Sequence, residues 1–218
     1  MALYKLGILG AFRNKVGNVV GRIWRPGKYV IAAMPSRYRD ANTTEQQLIR
    51  VRFKCLGTLA AAFLSAITPG LKSVFSRRKS TAVAEFVRLN WDAVQATTVD
   101  SVSVDYADLI VAQGPLTGVQ FGAPNFDNPQ TVTVGYATNE EVENTDLEDK
   151  VYAFVYCPDA KCGVMSAPVA RSIKTISVVV PAYWNGMKVH VWGFTVGNGP
   201  TNKGKISNSD YIGTGNIG

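Results

Sequence analysis

Met187-Lys-Val-His-Val-Trp-Gly-Phe-Thr-Val196 is the clearest period-two stretch in this 218-residue chain. In a strand, successive side chains point to opposite faces. Val189, Val191 and, with the register kept, Gly193 therefore share one face, and His190, Trp192 and Phe194 share the other. Outward from this stretch, period two governs everything after about Ser101. The expected strands are Val102–Tyr106, Leu109–Ala112, Gly118–Phe121, Thr131–Tyr136, Val151–Tyr156, Gly163–Ala167, Thr175–Val180, Lys188–Thr195 and a short tail near Tyr211. Turn signals such as Gln-Gly-Pro, Ala-Pro-Asn, Pro-Asp-Ala-Lys and Trp-Asn-Gly fall between most of them. Many short strands at this spacing predict an immunoglobulin-like antiparallel β-sandwich over residues 100–218.

Upstream the period changes. Thr44-Glu-Gln-Gln47 matches a capping box, and Leu48, Val51, Cys55, Leu56, Leu59, Phe63 and Ile67 then recur at helical spacing. Thr68-Pro69-Gly70 ends this helix. A second helix starts near Ser80 or Thr81, runs to about Val94, and carries Phe86, Leu89, Asn90 and Trp91. The short connection between them makes an αα-hairpin, with Arg77-Arg78-Lys79 just before the second helix. Leu48, Leu56, Phe63, Phe86 and Trp91 are its expected core.

Residues 16–34 read as a β-hairpin, with Pro26-Gly27 at the centre of a type II turn. Val20, Arg22 and Trp24 share one face of its first strand, and Val19, Gly21 and Ile23 the other. An isolated hairpin is marginal in water, so this one needs a body or a neighbouring subunit to pack on. Pro35–Asn42 is a basic linker. The chain is thus expected to be α+β. Residues 1–99 form a basic arm, β-hairpin and two-helix region, and residues 100–218 form the sandwich.

Charge is sorted along this plan. The first acid is Asp40, after eight Lys and Arg. Residues 1–100 hold 16 Lys+Arg and 5 Asp+Glu, whereas residues 101–218 hold 7 and 11. A sequence pI near 9.4 favours anionic partners. Arg13, Lys15, Arg22, Arg25 and Lys28 interleave with Trp24 and Tyr29, which suits phosphate contacts with stacking beside them. The plainer reading is contact with acidic patches of neighbouring subunits, or protection of strand edges. The candidate partner-binding residues are Arg13, Lys15, Arg22, Trp24, Arg25, Lys28, Arg37, Arg39, Arg77, Arg78 and Lys79. Arg77-Arg78-Lys79 also fits a solvated helix lead-in. Asn139–Lys150 carries six acids and reads as a solvated loop.

Enzyme chemistry is not visible. The one histidine, His190, lies mid-strand with no nucleophile motif around it. The glycine-rich pieces lack the endings of phosphate loops. Cys157 and Cys162 frame a turn at a spacing that is not CxxC, and Cys55 reads as a core residue. No cofactor, metal or small-molecule substrate is expected. The apolar stretch Cys55–Leu71 is short and broken by Thr58, Ser65, Thr68 and Pro69, so no membrane span is expected. MALYKLGILGAF lacks a signal-peptide cleavage site, which predicts cytoplasmic synthesis, with retention there or release by lysis or a leaderless route.

Gly7-Ile-Leu-Gly-Ala-Phe-Arg-Asn-Lys-Val-Gly-Asn-Val-Val-Gly21, Arg25, Thr44-Glu-Gln-Gln-Leu-Ile-Arg-Val-Arg-Phe53 and Asn208-Ser-Asp-Tyr-Ile-Gly213 together resemble an uncharacterised family of about this length. That family is common in Bacteroidota and is known as a domain of unknown function. The resemblance brings no activity and no catalytic residue. The Thr-x-x-Gln…Arg-Phe helix entry is also similar to segments of small phage virion proteins, a likeness that implies a structural role. The expected function is a non-enzymatic structural or assembly protein, of the kind found in phage or virion-like particles. It would form a homo-oligomer or larger assembly through inter-subunit or nucleic-acid contacts of the basic arm. The alternative is a nucleic-acid-binding protein using the same arm.

Overall fold

A computed structural model describes residues 2–4, 14–25, 28–34, 40–138, 145–200 and 202–218, with residues 2–4, 24 and 25 described by backbone alone. The chain is mixed α+β with antiparallel sheets, and it divides into two compact units, residues 1–43 and 44–218. The expected boundary at 99/100 lies inside the second unit.

In the first unit, β1 (Ala2–Tyr4), β2 (Asn14–Val16), β3 (Val19–Arg25) and β4 (Lys28–Ala33) form a four-stranded antiparallel sheet of order β1-β4-β3-β2. Of the two β-prone runs read from sequence, Lys28–Ala33 is β4, whereas Val16–Trp24 is broken by a turn at Gly17 and Asn18 and continues as β3, paired with β4 from Val19↔Ala33 to Arg25↔Lys28. Pro26 and Gly27, assigned to the turn between them, lie outside the described residues. The sequence pattern missed β1 and β2, which are three residues each. Gly17 enters the two-residue loop between β2 and β3 at φ +59°, where glycine carries no Cβ penalty.

The second unit opens with helices α1 (Thr44–Ala62), α2 (Leu64–Gly70), α3 (Lys72–Arg78) and α4 (Ala82–Leu89). The expected αα-hairpin is therefore corrected to four segments, and the causes are local. The chain bends by 82° between α1 and α2. Pro69 in α2 has no N–H to continue the ladder. At Gly70 a Cβ would stand 2.7 Å from the Val111 carbonyl oxygen, so glycine permits that close approach. Lys79 ends α3 in the left-handed region at φ 54°, and the Thr81 hydroxyl caps α4 by accepting the Ala84 N–H at 3.2 Å.

The remaining elements are strands: β5 (Val94–Ala96), β6 (Val102–Val104), β7 (Gln120–Asn128), β8 (Thr131–Ala137), β9 (Lys150–Cys157), β10 (Cys162–Met165), β11 (Val169–Ala170), β12 (Thr175–Val179), β13 (Lys188–Val196) and β14 (Asp210–Asn216). β5 and β6 pair with each other. β12-β8-β7 is a three-stranded sheet; β10-β9-β13-β14 is the second large sheet, with β11 also on β9. Leu109–Ala112, expected as a strand, is irregular. Its backbone is satisfied by side chains instead. Asn90 Nδ2 donates to the Ile110 carbonyl at 3.0 Å, Ile110 N–H donates to Asn90 Oδ1 at 2.6 Å, and Val111 N–H donates to Ser209 Oγ at 2.9 Å.

β9 and β13 are covered on both faces, and their alternation sorts two cores. Val151, Ala153, Val155 and Cys157 of β9, with Val189 and Val191 of β13, pack against Val132, Val134, Ile176 and Val178 of the three-stranded sheet. The intervening Phe154, Tyr156, Trp192 and Phe194 pack against Leu56, Leu59, Phe63, Ile67 and Phe86 of the helices. Of the expected helical core, Leu56, Phe63 and Phe86 are fully buried. Trp91 is half-buried at the edge of that core, and Leu48, half-buried in the first turns of α1, lies outside it.

Candidate interaction surface

The unit boundary is also a charge boundary. Residues 1–43 hold eight Lys and Arg and the single acid Asp40, whereas residues 44–218 hold fifteen of each sign. The whole net charge of +7 therefore belongs to the N-terminal unit.

Strand register then decides how that charge is arranged. Directly opposed residues in an antiparallel sheet share a face, and alternate residues along a strand do too. Lys15 is opposite Val20, and Arg22 is opposite Val30. Lys15, Arg22 and Lys28 consequently lie on one face, and all three are exposed. The register shifts between Ile23 and Arg25, which brings Arg25 opposite Lys28. The other face carries Val16, Val19, Ile23 and Ile31, of which Val16 is 60% and Ile23 38% exposed. Among the described side chains of this unit, Val30 is the one buried apolar residue, at 3% exposure. One side of the sheet thus carries Lys15, Arg22 and Lys28 together with Val20 and the buried Val30, and the other carries the exposed Val16 and Ile23.

The other sequence candidates fall as follows. Arg13, Arg37 and Arg39 lie outside the described residues, and Trp24 and Arg25 are placed by backbone alone. Arg77 and Arg78 sit in the last turn of α3, with Lys79 as its cap, so they end a helix where a lead-in was expected. Arg78 is committed internally. Its Nε lies 3.1 Å from Glu85 Oε1, and Arg88 Nε donates to Glu85 Oε2 at 2.7 Å. Ser80 Oγ donates to Glu85 Oε1 at 2.6 Å. Burial pushes the Glu85 pKa up. The hydrogen bonds from Ser80 and Arg88 and the charges of Arg88 and Arg78 outweigh this and hold it below the usual carboxylate range. Arg77 is exposed and lines an open groove with Ser73, Gln113, Gly114 and Asn208.

Two polar groups escaped the sequence reading. Asp149, expected in a solvated loop, is fully buried 3.6 Å from the fully buried Arg171. Arg171 also donates to the carbonyls of Thr138 at 3.2 Å and Thr117 at 2.6 Å. Asp149 accepts N–H bonds from Asp146 and Asn198, both at 3.1 Å. This cluster ties five chain segments together, and no motif marks it in the sequence. His190 is buried, with its ring stacked on Tyr106 at 4.2 Å and Nδ1 2.8 Å from Tyr211 Oη. Burial, with Lys188 nearby, pushes its pKa down to about 4, so the imidazole is neutral at pH 7. Its hydrogen-bond partner is the Tyr211 phenol. Among the described residues no three His, Cys, Asp or Glu side chains gather to hold a metal ion. Among the described residues no single helix is long and apolar enough to cross a membrane. The α1–α2 pair passes together by length and composition but is bent by 82°.

A model for a family of unknown function, DUF6266, matches residues 11–213. The chain belongs to that family. The match begins after β1 and ends within β14, so it covers most of both units. No curated protein and no solved structure matches the chain.

Proposed function

We propose that this DUF6266 protein is a non-enzymatic assembly protein, of the virion-component kind, whose basic N-terminal sheet makes its inter-subunit contacts. The observation that carries the reading is the concentration of the entire net charge in residues 1–43, with Lys15, Arg22 and Lys28 on one exposed sheet face. The uncovered Val16 and Ile23 on the opposite face support it, because such groups gain by burial against another chain. A body of balanced charge carrying a cationic appendage suits head-to-tail contacts. Light scattering behind size-exclusion chromatography tests this reading. Association at low salt that weakens as salt rises is expected, and a stable monomer at high concentration and low salt would count against it.

A second reading follows from the same face. Exposed cations with Trp24 in the same sheet suit the phosphates and bases of a nucleic acid. Titration of generic RNA and DNA over a range of salt separates the two. Affinity that falls steeply with salt favours nucleic acid, and no binding at low salt excludes it.

We further infer that the body is an immunoglobulin-like sandwich and that β3 and β4 form the expected hairpin. The order β7-β8-β12 supports the former as the A-B-E sheet, and β10-β9-β13-β14 as the C′-C-F-G sheet. The shared core between the two sheets also supports it. The continuous β3–β4 register up to Arg25↔Lys28 supports the latter.

A further inference from the structure

β12 borders β8 on one side and, among the described residues, no strand on the other. The direction of its backbone groups follows from two hydrogen bonds. Val180 N–H donates to the Gln130 carbonyl at 2.9 Å, and Tyr136 N–H donates to the Lys174 carbonyl at 3.0 Å. Lys174, Ile176, Val178 and Val180 therefore turn their backbone groups toward β8. The N–H and C=O of Thr175, Ser177 and Val179 point away from it, along the open edge.

Open edges usually carry charges, proline or bulges that discourage strand addition. The opposite edge of this sheet has such devices. β7 contains Pro124 and Asp127, and its register shifts twice against β8. Thr175-Ile-Ser-Val-Val-Val180 has no charge and no proline, and β12 pairs with β8 in unbroken register. Apolar groups lie bare around it: Ile173 is 60%, Val179 71% and Tyr183 61% exposed.

We infer that β12 of one copy pairs antiparallel with β12 of a second copy about a two-fold axis at Ser177. A two-fold axis makes the pairing antiparallel by symmetry. With Ser177 opposite Ser177, Thr175 stands opposite Val179 of the second copy. Every residue with outward backbone groups then meets another such residue, so each opposed pair exchanges two backbone hydrogen bonds. Lys174 stands opposite Val180 and not opposite its own counterpart, so no like charges meet. The β-branched side chains of Thr175 and Val179 cover each other across the strands. The result is one six-stranded sheet, three strands from each copy. This contact is separate from the basic sheet of residues 1–43 and does not require that reading.

Three variants of the full chain test it, by sedimentation over a range of concentration. Ser177→Pro removes an N–H that points away from β8, so pairing within the copy is kept. The dimer dissociation constant is expected to rise at least about 30-fold, while the melting temperature measured at concentrations where both proteins are monomeric stays unchanged. Ser177→Lys and Ser177→Glu each place like charges across the axis and should each weaken association by at least about tenfold. An equimolar mixture of these two should restore it, because only a pairing of Ser177 with Ser177 brings Lys against Glu. Should Ser177→Pro fail to fold, the charge pair carries the test alone. A monomeric wild type, or equal association of all single variants, or no rescue on mixing, overturns the inference. If Ser177→Pro still associates while Arg22→Ser/Arg25→Ser/Lys28→Ser does not, the basic-sheet reading stands and this one falls.

Discussion

Replacing Phe63 by alanine removes the ring around which the helical core is built. Phe63 is 0% exposed and sits at the bend between α1 and α2. Its ring centroid lies 5.5 Å from Phe86, 4.7 Å from Phe154, 4.9 Å from Tyr156 and 5.2 Å from Trp192. One side chain thus joins helix α4 to strands β9 and β13. Buried Phe→Ala changes cost about 3–5 kcal/mol, the lost transfer energy plus the cavity left behind. Ring pairs contribute roughly 0.5–1.5 kcal/mol each beyond area, so the upper half of that range, about 4–5 kcal/mol, is expected. For a unit of this size that corresponds to a fall of about 10–15 °C in melting temperature. Urea denaturation followed by tryptophan fluorescence reads the change, with a lower midpoint at unchanged slope. Phe63→Leu, which fills most of the volume, should cost only about 1–1.5 kcal/mol. A loss below about 1 kcal/mol for Phe63→Ala would show that the four-ring cluster does not hold helices to sheet as described.

The other stability predictions concern buried ionisable groups. The pKa of His190 is about 4 in the fold and about 6.5 unfolded, so the unfolded chain binds more protons between these values. Stability should therefore fall as pH falls through that window, by about 2 kcal/mol from pH 7.5 to pH 5. His190→Gln should flatten this part of a melting-temperature profile, and an unchanged slope would refute the assignment. Arg171→Met leaves the buried Asp149 charge without its partner and should cost about 3–5 kcal/mol. The double variant with Asp149→Asn should recover part of this in the same denaturation assay, and no recovery would show that the pair is not coupled.

Period two was legible wherever one strand alternates cleanly. Val189 and Val191 do face one core, and Trp192 and Phe194 the other. The helices were less legible because apolar spacing does not record a bend. Leu56, Leu59, Phe63 and Ile67 keep helical spacing across the 82° bend between α1 and α2, since both segments bury these side chains in one core. Leu109–Ala112 looked like a strand because it is apolar and buried, yet Asn90 and Ser209 take the place of a neighbouring strand. Those partners are distant in sequence, and no local pattern announces them. The same holds for Arg171 and Asp149, whose burial depends on loops brought together by the sheets. The alternation of Arg22 against Ile23 was readable within β3. That Lys15 and Lys28 join Arg22 required the register of three strands.

The central claim is that the basic N-terminal sheet carries association. Sedimentation velocity at low salt on the wild type, the Arg22→Ser/Arg25→Ser/Lys28→Ser variant and the Lys203→Ser/Lys205→Ser variant tests it most directly. The wild type and the Lys203/Lys205 variant should form concentration-dependent oligomers larger than a dimer that fall back to the salt-resistant β12 dimer as salt rises, and the variant of the sheet should not assemble beyond that dimer and should respond less to salt. Loss of association in the Lys203/Lys205 variant, with the sheet variant assembling like the wild type, would contradict the account.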